Sequence, residues 1–258
     1  MRNGGFNGEG VAAIYRFEMA RAMRTLWQSL VTPVITTALY FVVFGAAIGS
    51  RMQDMDGISF GAFIVPGLTL LSVFMQSIFN ASFGIYFPKF TGTIYELHSA
   101  PISSLEVVLA YVGAAVTKSL VLALVTLATA TLFVDIPIEH PAMMLLFLFL
   151  ICTAFCLVGF VIGIWAQNFE QLQIIPMLFI TPLTFLGGAF YAVETLAEPW
   201  RTVTLFNPIV YLVSGFRWSF YSVADVPVWS SVAVMAAIIA LCLAAIAWIF
   251  KSGYRLKK

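Results

Sequence analysis

The chain has 258 residues, of which 61% are hydrophobic and only 10% are charged, and its formal net charge is +1. A soluble domain has about 25% charged residues. A soluble globular protein of the present composition would expose large apolar patches to water, so that class is excluded. The three cysteines, Cys152, Cys156 and Cys242, lie in apolar runs and give no disulfide framework. The composition therefore predicts an integral membrane protein.

An amphipathic helix is predicted at residues 10–30, before the first long apolar run. On a helical wheel, apolar side chains such as Trp27 share one arc, whereas Arg16, Arg21 and Arg24 share the opposite arc. A helix with this pattern lies in the membrane interface, with its basic residues near anionic head groups. The alternative is a helix that packs against a partner.

Six transmembrane helices are predicted from the charge-poor intervals that follow. A span needs roughly 20 apolar residues, and each interval between ionisable residues is long enough, although one contains Lys118. We place the spans at residues 31–49, 61–84, 107–133, 142–165, 173–192 and 228–250. The fold class is therefore an all-α membrane protein, with residues 1–258 forming a single transmembrane domain.

The loop at 88–104, between the second and third spans, contains a short helical segment. Residues 93–99 can form a helix that ends at Ala100-Pro101, since the residue before a proline disfavours the helical conformation. Ser103 or Ser104 then caps the next helix, with Glu106 in its first turn. Such a helix, held between two spans, can transmit a push from a soluble partner into the membrane.

Lys118 is the one ionisable residue well inside a predicted span. An intramembrane charge is a functional-site hypothesis, in which Lys118 pairs with a carboxylate or lines a wet path. The alternative is that its side chain snorkels toward the cytoplasmic face.

A hairpin outside the membrane is predicted at 194–218. The interval between Arg201 and Arg217 holds only 15 uncharged residues, which span about 22 Å as a helix and cannot cross the bilayer. Asn207-Pro208 also breaks a helix there. The segment is interpreted as short re-entrant or interfacial helices before the sixth span, which protein or a water-filled cavity must cover.

The basic residues predict the orientation. With six spans, both termini lie on one side of the membrane, and that side carries nine Lys and Arg and five acidic residues. The other side carries three Lys and Arg and seven acidic residues. The positive-inside rule places both termini in the cytoplasm.

No enzyme motif is present in the sequence. It lacks the phosphate loop G-x-x-x-x-G-K-[ST], H-E-x-x-H, C-x-x-C and G-x-S-x-G. His98 and His140 are predicted on opposite sides of the membrane, and Cys152 and Cys156 are interpreted as buried apolar side chains. We therefore assign no catalytic residue, metal ligand or cofactor to this chain, and no nucleic-acid partner.

Two segments resemble one family. The loop at 88–104 resembles that of ABC-2-type transporter permeases, the integral-membrane subunits of one class of ABC exporter. A second resemblance lies at 176–217, with Pro182-Leu-Thr-Phe-Leu-Gly-Gly-Ala-Phe-Tyr191, then Asn207-Pro208-Ile-Val-Tyr211 and Gly215-Phe-Arg217. The resemblance extends over essentially the whole chain. Ala197-Glu198 departs from it, because a Leu-Pro pair is common there.

The resemblance implies two functional regions. The coupling helix, which docks into the ATP-binding subunit in this family, corresponds to Thr93, Ile94, Tyr95, Glu96, Leu97, His98, Ala100 and Pro101. The external region that re-enters the outer leaflet corresponds to Gly187, Gly188, Tyr191, Asn207, Pro208 and Arg217. From the residues themselves, the glycine pair permits close backbone approach, and Arg217 is expected to pair with an acid or to cap carbonyls of a broken helix.

The resemblance also implies the function. The chain would be the permease subunit of an ATP-driven exporter in the bacterial cytoplasmic (inner) membrane. Two copies of a separate ATP-binding subunit would bind ATP and Mg, and a second permease copy would complete the assembly. The substrate would be amphipathic or of glycan or lipid type. The alternative is a nucleotide-independent channel or carrier, although the scarcity of intramembrane charge disfavours ion coupling.

Overall fold

The computed structural model describes residues 6–48, 57–95 and 100–253, and these ranges form helices without a β-strand. The helices are α1 Gly8–Arg24, α2 Leu26–Tyr40, α3 Phe60–Phe63, α4 Val65–Thr91, α5 Ser104–Ala130, α6 Pro141–Trp165, α7 Phe169–Ile175, α8 Thr181–Phe185, α9 Trp200–Leu205, α10 Pro208–Tyr221 and α11 Val228–Ser252. A π-helix at Phe41–Ile48 continues α2, and another at Pro176–Ile180 joins α7 to α8. A short 3₁₀ turn lies at Val193–Thr195. The all-α fold class is confirmed for these ranges.

Five helical stretches within the described ranges are long and apolar enough to cross a membrane. They are Leu26–Phe44, Phe60–Thr91, Ser104–Ala130, Pro141–Trp165 and Val228–Ser252. Each overlaps one of the predicted spans, because the distance between ionisable residues limits where a span can lie.

The predicted span at 173–192 differs from the other five. Residues 173–185 belong to a helical run of 17 residues, from Phe169 to Phe185, which rises about 25 Å. The run ends at Phe185, and Gly188, with a φ of +73°, prevents a helix from continuing to residue 192. The count of six spans therefore stays a prediction.

The N-terminal helix α1 lies alongside α5. The Asn7 backbone N–H donates to Glu106 Oε1 at 2.7 Å, and about three turns along both helices Tyr15 Oη is 3.0 Å from Thr117 Oγ1. The helix ends at Arg24 rather than at residue 30, since Thr25 interrupts it before α2 begins. The structure thus places α1 on α5 of the same chain, and the position of α1 at the membrane surface stays a prediction.

Helices α4 and α6 approach each other closely at two glycines of α6. A Cβ atom added to Gly159 would lie 2.4 Å from the Ile78 carbonyl oxygen, and one added to Gly163 would lie 2.5 Å from the Ser82 carbonyl oxygen. Small residues permit this approach, which matters in a membrane because packing rather than water exclusion holds helices together. Cys152 and Cys156 are buried on the same helix as free thiols, as predicted.

We predict that Gly159→Ala destabilises the protein by about 1–3 kcal/mol, because the added methyl group overlaps the backbone of α4. Gly113→Ala is the matched control, since its added Cβ would meet nothing nearer than Tyr15 at 3.9 Å. Thermal unfolding of the purified variants measures the difference. Equal midpoints for the two variants would contradict the close packing of α4 on α6.

Candidate functional site

The loop between α4 and α5 begins at a left-handed glycine. Gly92 has a φ of +83° and ends α4, and the Thr93 and Thr91 hydroxyl oxygens lie 2.8 Å apart. Ile94 is buried, whereas Tyr95 is 55% exposed. Both are helical, consistent with the start of the predicted short helix. Three further residues of the predicted coupling helix, Glu96, Leu97 and His98, lie outside the described residues.

Glu106 joins the far end of this loop to two helices. Its Oε2 accepts from the Ser103 backbone N–H at 2.6 Å, and the Ser103 hydroxyl accepts from the Glu106 backbone N–H, which completes a capping box at the start of α5. Its Oε1 accepts from the backbone of Asn7, which caps α1. Asn7 also donates to the carbonyl of Pro101, next to the half-buried Ala100. Of the two serines considered as caps, the structure selects Ser103.

The near end of the loop is anchored to α6. Lys89, in the last turn of α4, donates to the carbonyl oxygens of Ile164 and Ala166 at 2.7 and 2.9 Å, and so caps the C-terminus of α6. The Tyr86 hydroxyl donates to the Gln167 carbonyl oxygen at 2.9 Å. The loop is therefore held at both ends by hydrogen bonds to other helices.

Lys118 lies in a cavity of about 430 Å³ between α1, α4 and α5. The same cavity is lined by Glu18 and Arg21, which form an ion pair on α1, and Lys118 is near enough to interact electrostatically with both. Burial raises the pKa of the Glu18 carboxyl, and the Arg21 guanidinium opposes that shift. Arg21 does not occupy an outward-facing arc, as the helical wheel predicted, because its guanidinium lies 5.3 Å from the Phe83 ring centroid.

Arg217 is fully buried beside the opposite end of α4. Its Nη1 donates to Asp225 Oδ2 at 2.8 Å, its Nη2 donates to the Gly188 carbonyl oxygen at 2.5 Å, and its guanidinium lies 3.9 Å from the Phe63 ring centroid. The other carboxylate oxygen of Asp225 accepts from the Val193 backbone N–H. Both expected kinds of contact, an acid and a carbonyl of the broken helix, are therefore present.

The remaining residues of the predicted external region surround this arginine. Asn207 caps α10 by accepting from the Ile209 backbone N–H, and its Nδ2 donates to the Leu183 carbonyl oxygen at 2.6 Å. Pro208 occupies the first helical position of α10, as is common for proline. A Cβ at Gly187 would meet Ile209 at 2.7 Å, so the glycine permits the turn to pack on α10.

Tyr191 is half-buried between Gly188 and the 3₁₀ turn, and its backbone oxygen would lie 3.4 Å from a Cβ at Gly188. Helices α9 and α10 occupy the segment predicted as a hairpin, and most of α10 is buried in the protein. Their re-entry into the membrane stays a prediction.

The two regions are not brought together. The loop follows the C-terminus of α4, whereas Gly67, near its N-terminus, contacts the backbone of Ala189 in the external region. The 27 residues of α4 separate these ends by about 40 Å. In the ranges that the structure describes, no group of three or more His, Cys, Asp or Glu could hold a metal ion.

The sequence matches a known family over most of its length. The family model described as ABC-2 type transporter matches residues 9–221. The chain belongs to this family. It is therefore a transport permease subunit, and the match includes α1, the α4–α5 loop and the buried Arg217.

Relatives of this permease include named membrane transporters and nodulation proteins. It is 38% identical to the inner membrane transport permease YadH of Escherichia coli (strain K12) over 223 residues, which is 86% of this chain and 87% of the relative. It is 24% identical to Nodulation protein J of Rhizobium meliloti (strain 1021) over 218 residues, 82% of this chain and 81% of that protein.

Three polar partners were missed by sequence reasoning. Glu18 and Arg21 are three residues apart, and this spacing predicts an ion pair on α1, but it does not show that the pair faces α4 and α5. Asp225 was placed among the external acids, eight residues after Arg217. Its pairing depends on the turn between α10 and α11, for which the sequence carries no specific signal.

We predict that Arg217→Met destabilises the permease by about 3–5 kcal/mol, because it leaves Asp225 buried without its partner. The double variant, Arg217→Met with Asp225→Asn, should lose less free energy of unfolding than the sum of the losses in the two single variants. Chemical or thermal unfolding of the purified variants measures this coupling. Arg201→Met, at an exposed arginine of the same region, is the control. Strict additivity would show that the pair does not hold the external region.

Proposed function

We propose that this permease is the membrane subunit of an ATP-driven exporter that moves an amphipathic or glycan or lipid-type substrate outward. The observation that carries the proposal is the Glu106 junction, which ties the α4–α5 loop to the starts of both α1 and α5. A force applied to a loop anchored in this way reaches two helices at once. Membership of the ABC-2 type transporter family supplies the source of that force.

The ATP-binding subunit is a separate protein in this proposal. The sequence contains no phosphate loop, so a partner must bind ATP and Mg and hydrolyse the nucleotide. Tyr95 is exposed beside the buried Ile94, so the Tyr95 side chain is available for docking. When the partner subunits close on ATP, the docked loop moves, and Glu106 passes this motion to α1 and α5.

A second permease copy completes the proposed assembly, with two permeases and two ATP-binding subunits. The contact surface proposed for it is the exposed apolar face of α2 and of the π-helix at Pro176–Ile180. Its members are Trp27, Val31, Ile35, Leu39, Met177, Leu178 and Phe179. The substrate path would then run between the copies.

The proposed location is the bacterial cytoplasmic (inner) membrane with both termini inside. The bias of basic residues supports this orientation, and a relative of this chain is named an inner membrane transport permease. The α4–α5 loop then faces the cytoplasm, where ATP is available, and the region around Arg217 faces outward.

We predict that Glu96→Arg uncouples ATP hydrolysis from transport, because the reversed charge disturbs the docked loop. In proteoliposomes holding the permease with its cognate ATPase, transport per ATP hydrolysed should fall about tenfold or more. Glu194→Arg is the control, since it reverses an exposed charge in the external region.

The wild-type chain and the control variant should form a stable complex when co-expressed with the ATPase. Unchanged coupling in Glu96→Arg would contradict the assignment of the docking loop. Transport in vesicles without nucleotide would instead support a passive channel or carrier.

A further inference from the structure

The cavity that contains Lys118 carries an excess of positive charge. Arg21 and Lys118 contribute two cations and Glu18 contributes one carboxylate. Glu18 forms an ion pair with Arg21, and the three groups together carry a net charge of +1. Among the described residues, no carboxylate lies within 4.0 Å of the Lys118 ammonium.

Two buried polar atoms in this cavity also lack partners. Glu18 is only 7% exposed, and its Oε1 makes no hydrogen bond in the described structure. Arg21 Nη1 is likewise buried without an acceptor there. Buried polar atoms are normally satisfied, because each unmade hydrogen bond carries a desolvation cost. A bound molecule with an anionic oxygen for Arg21 and Lys118, and a hydroxyl for Glu18, would satisfy them.

One wall of the cavity is aromatic. Phe79, Phe83 and Phe87 follow one another along α4 with ring centroids 5.9 and 5.5 Å apart, and Arg21 lies over the last two rings. The stripe offers an apolar surface beside the charged groups. Phe74, in contrast, is buried in the core against Phe155 and does not line the cavity.

A second cavity of about 500 Å³ adjoins the first and shares Gln28, Ser29 and Phe79 with it. Its additional lining includes the uncharged amides of Gln76 and Gln173 and apolar side chains such as Met177. The polarity therefore changes from charged to uncharged between the two cavities. Both volumes fall in the range of about 300–1,000 Å³ that is usual for ligand sites.

We infer that the cavity between α1, α4 and α5 binds the anionic head group of an amphiphile, with Arg21 and Lys118 contacting its phosphate or carboxylate oxygens. Arginine and lysine are the residues that bind such oxygens most strongly. The aromatic stripe would contact the hydrocarbon part, and the adjoining amides would contact uncharged hydroxyl or ester groups. This inference rests on the proposed exporter function, in which the bound amphiphile is the molecule to be moved.

The test is lipid retention by the full chain, purified in detergent and examined by native mass spectrometry. Two probes with the same chains, dioleoyl phosphatidic acid and dioleoylglycerol, differ by the phosphate alone. Wild-type protein should retain phosphatidic acid about tenfold more strongly than dioleoylglycerol, as expected for charge-assisted hydrogen bonds. Lys118→Met should lower this preference to about twofold or less, and Lys118→Arg should preserve it.

Lys118→Met leaves the Arg21–Glu18 pair intact. It therefore tests the head-group site even if the second variant, Arg21→Met, does not fold. Arg16→Met and Arg24→Met, which change exposed arginines of α1, should retain the wild-type preference. Equal retention of the two lipids by the wild type would overturn the inference. An equal loss of the preference for phosphatidic acid in Arg16→Met or Arg24→Met would also overturn the inference, since any basic surface would then bind the anionic lipid.

Inorganic phosphate separates a lipid site from a site for a soluble anion. If millimolar phosphate displaces phosphatidic acid as readily as a second lipid does, the amphiphile assignment is wrong. The measurement requires no ATP and no partner. Failure to bind the lipid would therefore leave the exporter proposal standing, whereas a lipid-binding chain that does not couple to an ATPase would overturn the exporter proposal alone.

Discussion

The contact between α4 and α6 organises this permease. Helices surrounded by hydrocarbon gain little from excluding water, so they associate through close packing and polar contacts. Gly159 and Gly163 bring the backbones together. Lys89 and Tyr86 then bond the C-terminus of α4 to the carbonyls at the end of α6. Because α4 carries the α4–α5 loop at one end and contacts the region around Arg217 at the other, its fixed position relates the two regions.

The scarcity of charge gives each buried ionisable residue a defined role. Arg217 holds a turn, a carboxylate and an aromatic ring together, and within the described chain only its Nε is left without a hydrogen bond. Glu106 joins two helix starts. The group formed by Glu18, Arg21 and Lys118 differs, because its two cations face one carboxylate, and because Glu18 and Arg21, each with a buried atom that lacks a hydrogen bond, line a cavity. Arg217 and Glu106 therefore bind other parts of this chain, whereas the group of Glu18, Arg21 and Lys118 retains atoms that can bind a ligand.

The sequence predicted features that depend on local chemistry. Charge-poor intervals located five long apolar helices, since bilayer thickness sets their length. Ser103 was one of the two predicted caps of α5, with Glu106 in the first turn of that helix. Features that depend on distant residues were not predicted. The end of α8 depends on Gly188, whose carbonyl bonds to Arg217. A helical wheel placed Arg21 on an outward arc because a buried ion pair and a solvated polar face give the same pattern.

The central claim is that a separate ATP-binding subunit acts on the loop between α4 and α5. Site-specific photo-crosslinking in native membranes tests it most directly, with a photoreactive residue at the exposed Tyr95 and a control at the exposed Trp200 of the external region. The account predicts that position 95 crosslinks to a protein containing a phosphate loop and that position 200 does not. Crosslinking of that protein from position 200, with none from position 95, would contradict both the docking site and the orientation.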